Sequence, residues 1–147
     1  KAIDHMNALS LSEVPKKRSL QNELKINYIK WTKTINLKDF LIFNEIIKEN
    51  KAEICAAQFF GEFRAFASEE YVYSLLQAEI HIPKPLQLFW GEKRLVWRKG
   101  ENEYIMEFDV SIGEKTDYFV DPIIVLDAKI GLDSTRLKTA FSLLLPF

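Results

Sequence analysis

The spacing of apolar residues changes once along this chain, at the segment IPKP over residues 82–85. Before this segment, apolar residues recur at every third or fourth position, which is the period of an amphipathic helix. After it they alternate with polar residues, which is the period of a strand with one buried face. Because proline has no backbone N–H, the segment should also end the helix that precedes it. We therefore expect an α+β fold, with N-terminal helices followed by an antiparallel β-meander and a C-terminal helix.

Helical spacing before residue 82 predicts several helices. One should begin at Ser19, and a second should follow Asn36 as its N-cap, with Asp39 in the first turn. The stretch 52–67 favours a third helix, and Ser68 is typical of the cap of a fourth. The stripe expected to be buried on the second helix is Leu37, Phe40, Leu41, Asn44 and Ile47.

The turns after residue 85 predict the register of three antiparallel strands. If residues 99–102 form a four-residue loop, the facing pairs are Trp97–Tyr104, Val96–Ile105, Arg98–Glu103 and Arg94–Glu107. A two-residue turn at Gly91 and Glu92 would bring Leu88 opposite Leu95. The core face predicted from both turns is Leu86, Leu88, Leu95, Trp97, Tyr104, Met106, Phe108 and Val110.

The two ends of the chain complete this organisation. Residues 1–18 are expected to be a loose lead-in or the remnant of a tag. Residues 19–147 should form a single α+β domain, which could be a fragment of a larger chain. Pro122 should begin a strand over residues 123–128, and a terminal helix is expected after Gly131.

Composition restricts the function classes. The net charge is −1, so contact with nucleic acid would have to use a local patch. Two basic patches exist, residues 16–18 and residues 93–99, and solvated surface charge is the simplest interpretation of each. No apolar run approaches the roughly 20 residues that span a bilayer. Cys55 is the only cysteine, which fits a reducing compartment, and we expect the cytoplasm.

Acidic residues and a lysine carry the most suggestive pattern. The run PIIVLDAKIG ends in Asp127 and Lys129, which share one side of a strand because they are two residues apart. A second acid, Asp109 in MEFDVSI, lies on the preceding predicted strand. The sequence contains no glycine-rich phosphate loop, no Cys/His cluster and no nucleophile elbow, so these acids are the candidates for chemistry.

An acid on one strand, followed by a strand that ends in Asp-x-Lys and then by a helix, resembles the core of the PD-(D/E)XK, or restriction-endonuclease-like, nuclease superfamily. The resemblance covers roughly residues 60–145, although Phe108 stands where the family has proline. It implies a metal-dependent nuclease in which Asp109 and Asp127 hold Mg²⁺ or Mn²⁺. The carbonyl of Ala128 would be a further ligand.

The same resemblance implies two further roles. Lys129 would orient the attacking water or stabilise developing negative charge. An acid on the upstream helix would complete the site, and Glu62, Glu69 and Glu70 are the candidates, of which we choose Glu70. Substrate sequence preference and pathway do not follow from these residues.

Two non-catalytic alternatives remain open. Phe89, Val96 and Ile105 would form an apolar stripe on the outer face of the predicted sheet, with a charged rim. Such a stripe suits an interaction domain that docks a protein partner or a second copy, unless the chain's own helices cover it. The other alternative is a β-barrel-like sensor domain whose aromatic inner face binds an apolar ligand.

Overall fold

The computed structural model describes residues 2, 4, 6, 7, 15–54 and 57–128. They divide between His81 and Ile82 into two compact units, a helical unit and a sheet unit. Helices come first and antiparallel strands follow, which confirms the predicted α+β class. The C-terminal helix predicted after Gly131 lies outside the described residues, and the single domain over residues 19–147 stays a prediction.

The described helices of the first unit are α1 (Pro15–Thr34), α2 (Leu37–Glu49), α3 (Lys51–Ile54) and α4 (Ala57–Glu79). Helix α1 begins four residues before the predicted Ser19, at a proline, which is tolerated in a first turn because that N–H has no helical partner. The described residues of the first seven are also helical, and Ala2 and Met6 are buried, unlike the predicted loose lead-in. None of the helices in the described ranges has the length and apolar character that crossing a membrane requires.

Helix α2 has the predicted cap but a different buried face. The Asn36 side chain accepts a hydrogen bond from the Lys38 N–H at 2.8 Å, and Asp39 lies in the first turn. Its buried residues are Phe40, Phe43, Asn44 and Ile47. Leu37 and Leu41, which we predicted to be buried, are exposed because the buried stripe is rotated towards Phe43.

Helix α4 is one continuous helix, so the predicted cap at Ser68 is wrong. Ser68 is buried inside the helix, and burial against the neighbouring helices outweighs its preference for a terminus. The helix ends before IPKP, as predicted. The core of this unit centres on Trp31, whose ring lies 5.3–6.1 Å from those of Tyr28, Phe40, Phe43 and Tyr71.

The second unit contains five described strands: β1 (Gln87–Trp90), β2 (Lys93–Lys99), β3 (Asn102–Glu107), β4 (Val110–Thr116) and β5 (Phe119–Leu126). Strands β1, β4 and β5 form a sheet in the order β1-β4-β5, and β2 pairs with β3. Pro122 lies inside β5 instead of beginning it. An edge strand accepts proline because the missing N–H can lie on the unpaired side.

The predicted hairpin between β1 and β2 is wrong, because β1 pairs with β4. The register is unchanged from the pair Gln87–Gly113 to the pair Leu95–Ile105. Two backbone hydrogen bonds cross the break between the sheets: Gly91 N–H to the Asp109 carbonyl at 3.0 Å, and Phe108 N–H to the Glu92 carbonyl at 3.1 Å. The segment at Gly91 and Glu92 is therefore the middle of one long antiparallel ribbon.

The tip of this ribbon confirms part of the predicted register. Trp97 faces Tyr104 and Arg98 faces Glu103, as expected. The pairs Val96–Ile105 and Arg94–Glu107 are wrong, because a β-bulge at Val96 brings Leu95 opposite Ile105 and Arg94 opposite Met106.

The predicted core face is correct only in part. Met106, Phe108 and Val110 are buried as expected, whereas Trp97 and Tyr104 are exposed by 48% and 45%. The bulge also places Leu95 and Met106 on different faces of the ribbon. Each register shift of one residue transfers a side chain to the other face of the ribbon.

A second bulge shapes the pairing of β4 with β5. The register steps from Ile112–Ile124 to Gly113–Pro122, which leaves Ile123 as the extra residue. A Cβ atom on Gly113 would lie 2.2 Å from the backbone carbonyl oxygen of Asp121 and 2.7 Å from the Cα of Pro122. Glycine is required here because the two backbones approach too closely for any side chain.

We therefore expect Gly113→Ala to lower the free energy of unfolding by about 1–3 kcal/mol, the usual cost of overpacking. The matched control is Gly61→Ala in helix α4, where no atom lies within 4 Å of the added Cβ. Alanine should stabilise that helix by about 0.5–1 kcal/mol. Urea denaturation of both variants checks this, and equal effects would contradict the close approach at the bulge.

Candidate functional site

The register of β4 and β5 places two of the predicted site residues at the same end of the ladder. The last pair is Val110–Leu126, and Asp109 and Asp127 are the residues that adjoin this pair on the two chain segments. The Ala128 N–H donates a hydrogen bond to Oδ2 of Asp109 at 2.9 Å. Asp109 and Asp127 therefore both adjoin the end of the ladder, and the bond from Ala128 connects their two segments.

Asp109 occupies the junction between β3 and β4, which the sequence predicted to be one strand. Its backbone carbonyl accepts a hydrogen bond from Gly91 on one side, and its carboxylate accepts one from Ala128 on the other. Its side chain is half-buried, whereas Asp127 is exposed at the end of β5. Asp109 therefore accepts one hydrogen bond from the segment before β2 and one from the segment after β5, and these two bonds fix its position.

Of the remaining predicted residues of the motif, Ala128 lies at the same strand end. Ala128 follows Asp127 directly and is positioned by the bond from its N–H to Asp109. Its carbonyl is the atom that we predicted as a ligand. Lys129 is outside the described residues, so its predicted role stays a prediction.

The upstream acid that we chose, Glu70, is buried in the helical unit. Its carboxylate accepts hydrogen bonds from the Tyr28 hydroxyl at 2.5 Å and from the Ala2 N–H at 3.1 Å. Burial raises the pKa of Tyr28, and the hydrogen bond and charge of Glu70 raise it further. These contacts give Glu70 a structural role within its own unit.

Glu62 and Glu69, the other candidates, lie on the same helix α4, exposed and half-buried respectively. All three glutamates belong to the helical unit, whereas Asp109 and Asp127 belong to the sheet unit. The participation of an upstream glutamate in the aspartate site therefore stays a prediction.

The ligand chemistry of the strand end suits a hard cation. In the described part of the chain, no three His, Cys, Asp or Glu side chains come together as a metal site. Two carboxylates and a backbone carbonyl are nevertheless sufficient protein ligands for Mg²⁺, which usually keeps several waters. The donor atoms at this strand end are all oxygen, whereas zinc sites usually include sulfur or nitrogen ligands.

Comparison with known proteins gives no significant match: no protein-family model matches the chain, and no curated protein or solved structure is significantly similar to it.

Two features of the sheet unit were missed by the sequence analysis. One is the hydrogen bond from Ala128 to Asp109, which depends on a register that includes the bulge at Ile123. The other is the exposed aromatic pair of Trp97 and Tyr104, which alternation had placed in the core. The position of both residues beside the loop at the ribbon tip was the available signal, since a hairpin end has little to pack against.

The bond from Ala128 predicts different effects for two substitutions of Asp109. Asp109→Ala removes the acceptor and should accelerate hydrogen exchange of the Ala128 amide, at a cost of about 1–3 kcal/mol in local stability. Asp109→Asn keeps a side-chain oxygen and should preserve most of that protection. Exchange measured by NMR checks the pair, and equal protection in Asp109→Ala and the wild type would contradict the contact.

The buried position of Glu70 generates a separate prediction. Glu70→Ala leaves the donors of Tyr28 and Ala2 without their acceptor and should destabilise the protein by about 1–3 kcal/mol. Glu62→Ala, an exposed change on the same helix, should stay within about 0.5 kcal/mol of the wild type. Urea denaturation compares the two variants, and equal stability would show that the contacts of Glu70 contribute nothing.

Proposed function

We propose that this protein is a metal-dependent nuclease that hydrolyses phosphodiester bonds in nucleic acid. The observation that carries the proposal is that Asp109 and Asp127 directly flank Val110–Leu126, the last pair between adjacent antiparallel strands. The 2.9 Å bond between Ala128 and Asp109 supports it, because it ties the two halves of the Asp…Asp-x-Lys pattern together. A compartment such as the cytoplasm suits a chain with one cysteine.

The residues of the strand end have complementary chemical roles in this proposal. Asp109 and Asp127 supply negatively charged oxygen ligands for Mg²⁺ or Mn²⁺, with the carbonyl of Ala128 beside them. When bound, such a metal lowers the pKa of water and offsets negative charge on the phosphate. Lys129 donates hydrogen bonds to the attacking water or to the phosphate oxygens.

The reaction itself is a hydrolysis. The water oxygen forms the new bond to phosphorus, and the bond from phosphorus to the leaving oxygen breaks. One proton of the water is released, and the leaving oxygen gains a proton. In this proposal Lys129 contacts the water or the phosphate and is not a metal ligand. Removal of its charge should therefore slow the chemical step more than it weakens metal binding.

A thermal melt with Mg²⁺ or Mn²⁺, run beside a plasmid-nicking assay, tests the proposal. At a metal concentration of 100 times Kd, the metal should stabilise the wild type by about 2.7 kcal/mol. Asp127→Asn should remove both this shift and the nicking, and Lys129→Ala should remove only the nicking. Asp121→Asn, an exposed change earlier on β5, is the matched control and should leave both unchanged.

Two outcomes would contradict the proposal. One is a wild type that neither shifts with metal nor nicks DNA. The other is nicking that survives in Asp127→Asn, because this would assign the cleavage to a contaminant or to another site.

The alternative of an interaction domain has one supporting observation. Ile105 of the predicted stripe is exposed, whereas Phe89 and Val96 are half-buried. If a protein partner docks on this face, Ile105→Glu should abolish the assembly without unfolding the domain. The alternative of a barrel-like sensor needs strands that close on themselves, and the described β1 and β5 are instead edge strands of an open sheet.

A further inference from the structure

An aromatic pair is exposed near the tip of the β2–β3 ribbon. The rings of Trp97 and Tyr104 stack across the two strands, with centroids 6.3 Å apart and planes inclined by 19°. Both side chains remain almost half exposed. Aromatic rings that stack on each other in this way form a rigid apolar platform with a polar rim.

Cations share the face of this platform. Side chains alternate between the two faces of a strand, so Lys99 lies on the same face as Trp97. The bulge at Val96 brings Arg94 opposite Met106, which places Arg94 on the face of Tyr104 as well. Without the bulge, Arg94 would face Glu107 on the other side.

The acids of β3 lie on the opposite face. Glu103 forms an ion pair with Arg98, and Glu107 faces Lys93. Within the described ranges, neither Arg94 nor Lys99 forms an ion pair. Strands β2 and β3 therefore place acids opposite bases on one face, with Arg94 and Lys99 beside the aromatic platform on the other. Glu92, two residues before Arg94, shares the platform face and is paired with Lys115.

We infer that this face of the β2–β3 ribbon binds single-stranded nucleic acid. Unpaired bases stack on Trp97 and Tyr104, and Arg94 and Lys99 contact the phosphates. A duplex buries the ring faces of its bases inside its own stack, so the platform selects unpaired segments. The net charge of the chain is −1, so attraction to a polyanion must come from local cations. Arg94 and Lys99 supply such cations beside the platform, which favours nucleic acid over a protein partner.

This inference rests on the proposed nuclease function and adds a substrate class to it. Tyr104 precedes Asp109 by five residues on the same continuous arm of the ribbon, which is at most about 17 Å. Because side chains alternate along this arm, Asp109 lies on its other face, so a strand held on the platform reaches the aspartates by crossing an edge of the ribbon. The site accordingly acts on single-stranded segments or on junctions that expose them.

Fluorescence anisotropy with a labelled oligothymidine, in EDTA, measures binding separately from cleavage. Trp97→Ala should weaken binding roughly five- to one-hundred-fold, the effect expected for loss of one stacked base. Tyr118→Ala, which removes a highly exposed aromatic at the β4–β5 turn, is the matched control and should bind like the wild type. Lys99→Gln should weaken binding and lower the salt dependence by about one phosphate contact.

Intrinsic fluorescence gives a second readout that does not depend on a truncated side chain. The oligothymidine should quench the wild type, and Trp97→Phe should lose the share of this quenching that comes from Trp97 while keeping its affinity. Trp31 is buried and half-buried Trp90 contributes its own signal, so Trp90→Phe is the matched variant and should keep the quenching. Circular dichroism of Trp97→Ala confirms that the fold is retained.

Three outcomes would overturn the inference: equal affinity for duplex and single strand, unchanged binding in Trp97→Ala, or a wild type that binds no oligonucleotide and uses Trp97 to self-associate. Binding that depends on Trp97 in a protein without nicking activity would support the platform and reject the nuclease. Nicking without such binding would do the opposite.

Discussion

The register of the long antiparallel ribbon is the constraint on which the sheet unit depends. Strand β4 is paired on both sides, with β1 and with β5, so a slip of one residue would break two ladders at once. The ribbon also continues without a register change past Gly91 and Asp109, where two backbone hydrogen bonds replace regular pairing. The positions of the exposed platform and of the aspartates both follow from this one alignment.

Two bulges adjust that alignment locally, and each has a consequence for the surface. The bulge at Val96 turns Arg94 towards the aromatic face and gives Glu107 a different partner. The bulge at Ile123 changes the phase of β5 between Pro122 and Ile124. Because Asp127 lies beyond this second bulge, its position relative to Asp109 depends on the bulge. Bulges frequently re-aim side chains in this way near functional sites.

The sequence predicts local features well and long-range pairing poorly. The change of period at IPKP, the cap at Asn36 and the pair Trp97–Tyr104 each depend on neighbouring residues, and each is confirmed. The Gly91-Glu92 segment has the composition of a hairpin turn, yet β1 finds its partner in β4, because tertiary pairing outweighs a local turn preference.

The candidate site divides in the same way. Residue type and spacing single out Asp109 and Asp127, but only the register shows that both adjoin the last pair of the same ladder. The buried position of Glu70 could not be predicted, because its partner Tyr28 lies 42 residues away and Ala2 lies 68 residues away. Helical spacing gives the phase of a helix, but it does not identify which acid will meet a distant donor.

Paramagnetic broadening by Mn²⁺ tests the central claim most directly. In ¹⁵N-labelled protein, sub-stoichiometric Mn²⁺ should first broaden the amide signals of Val110 and Ala128, because these flank the carboxylates of Asp109 and Asp127. The signals of Lys115 and Val120, at the other end of the same ladder, should be affected much less. Uniform broadening, or broadening that is strongest at another acidic surface, would contradict a metal site at this strand end.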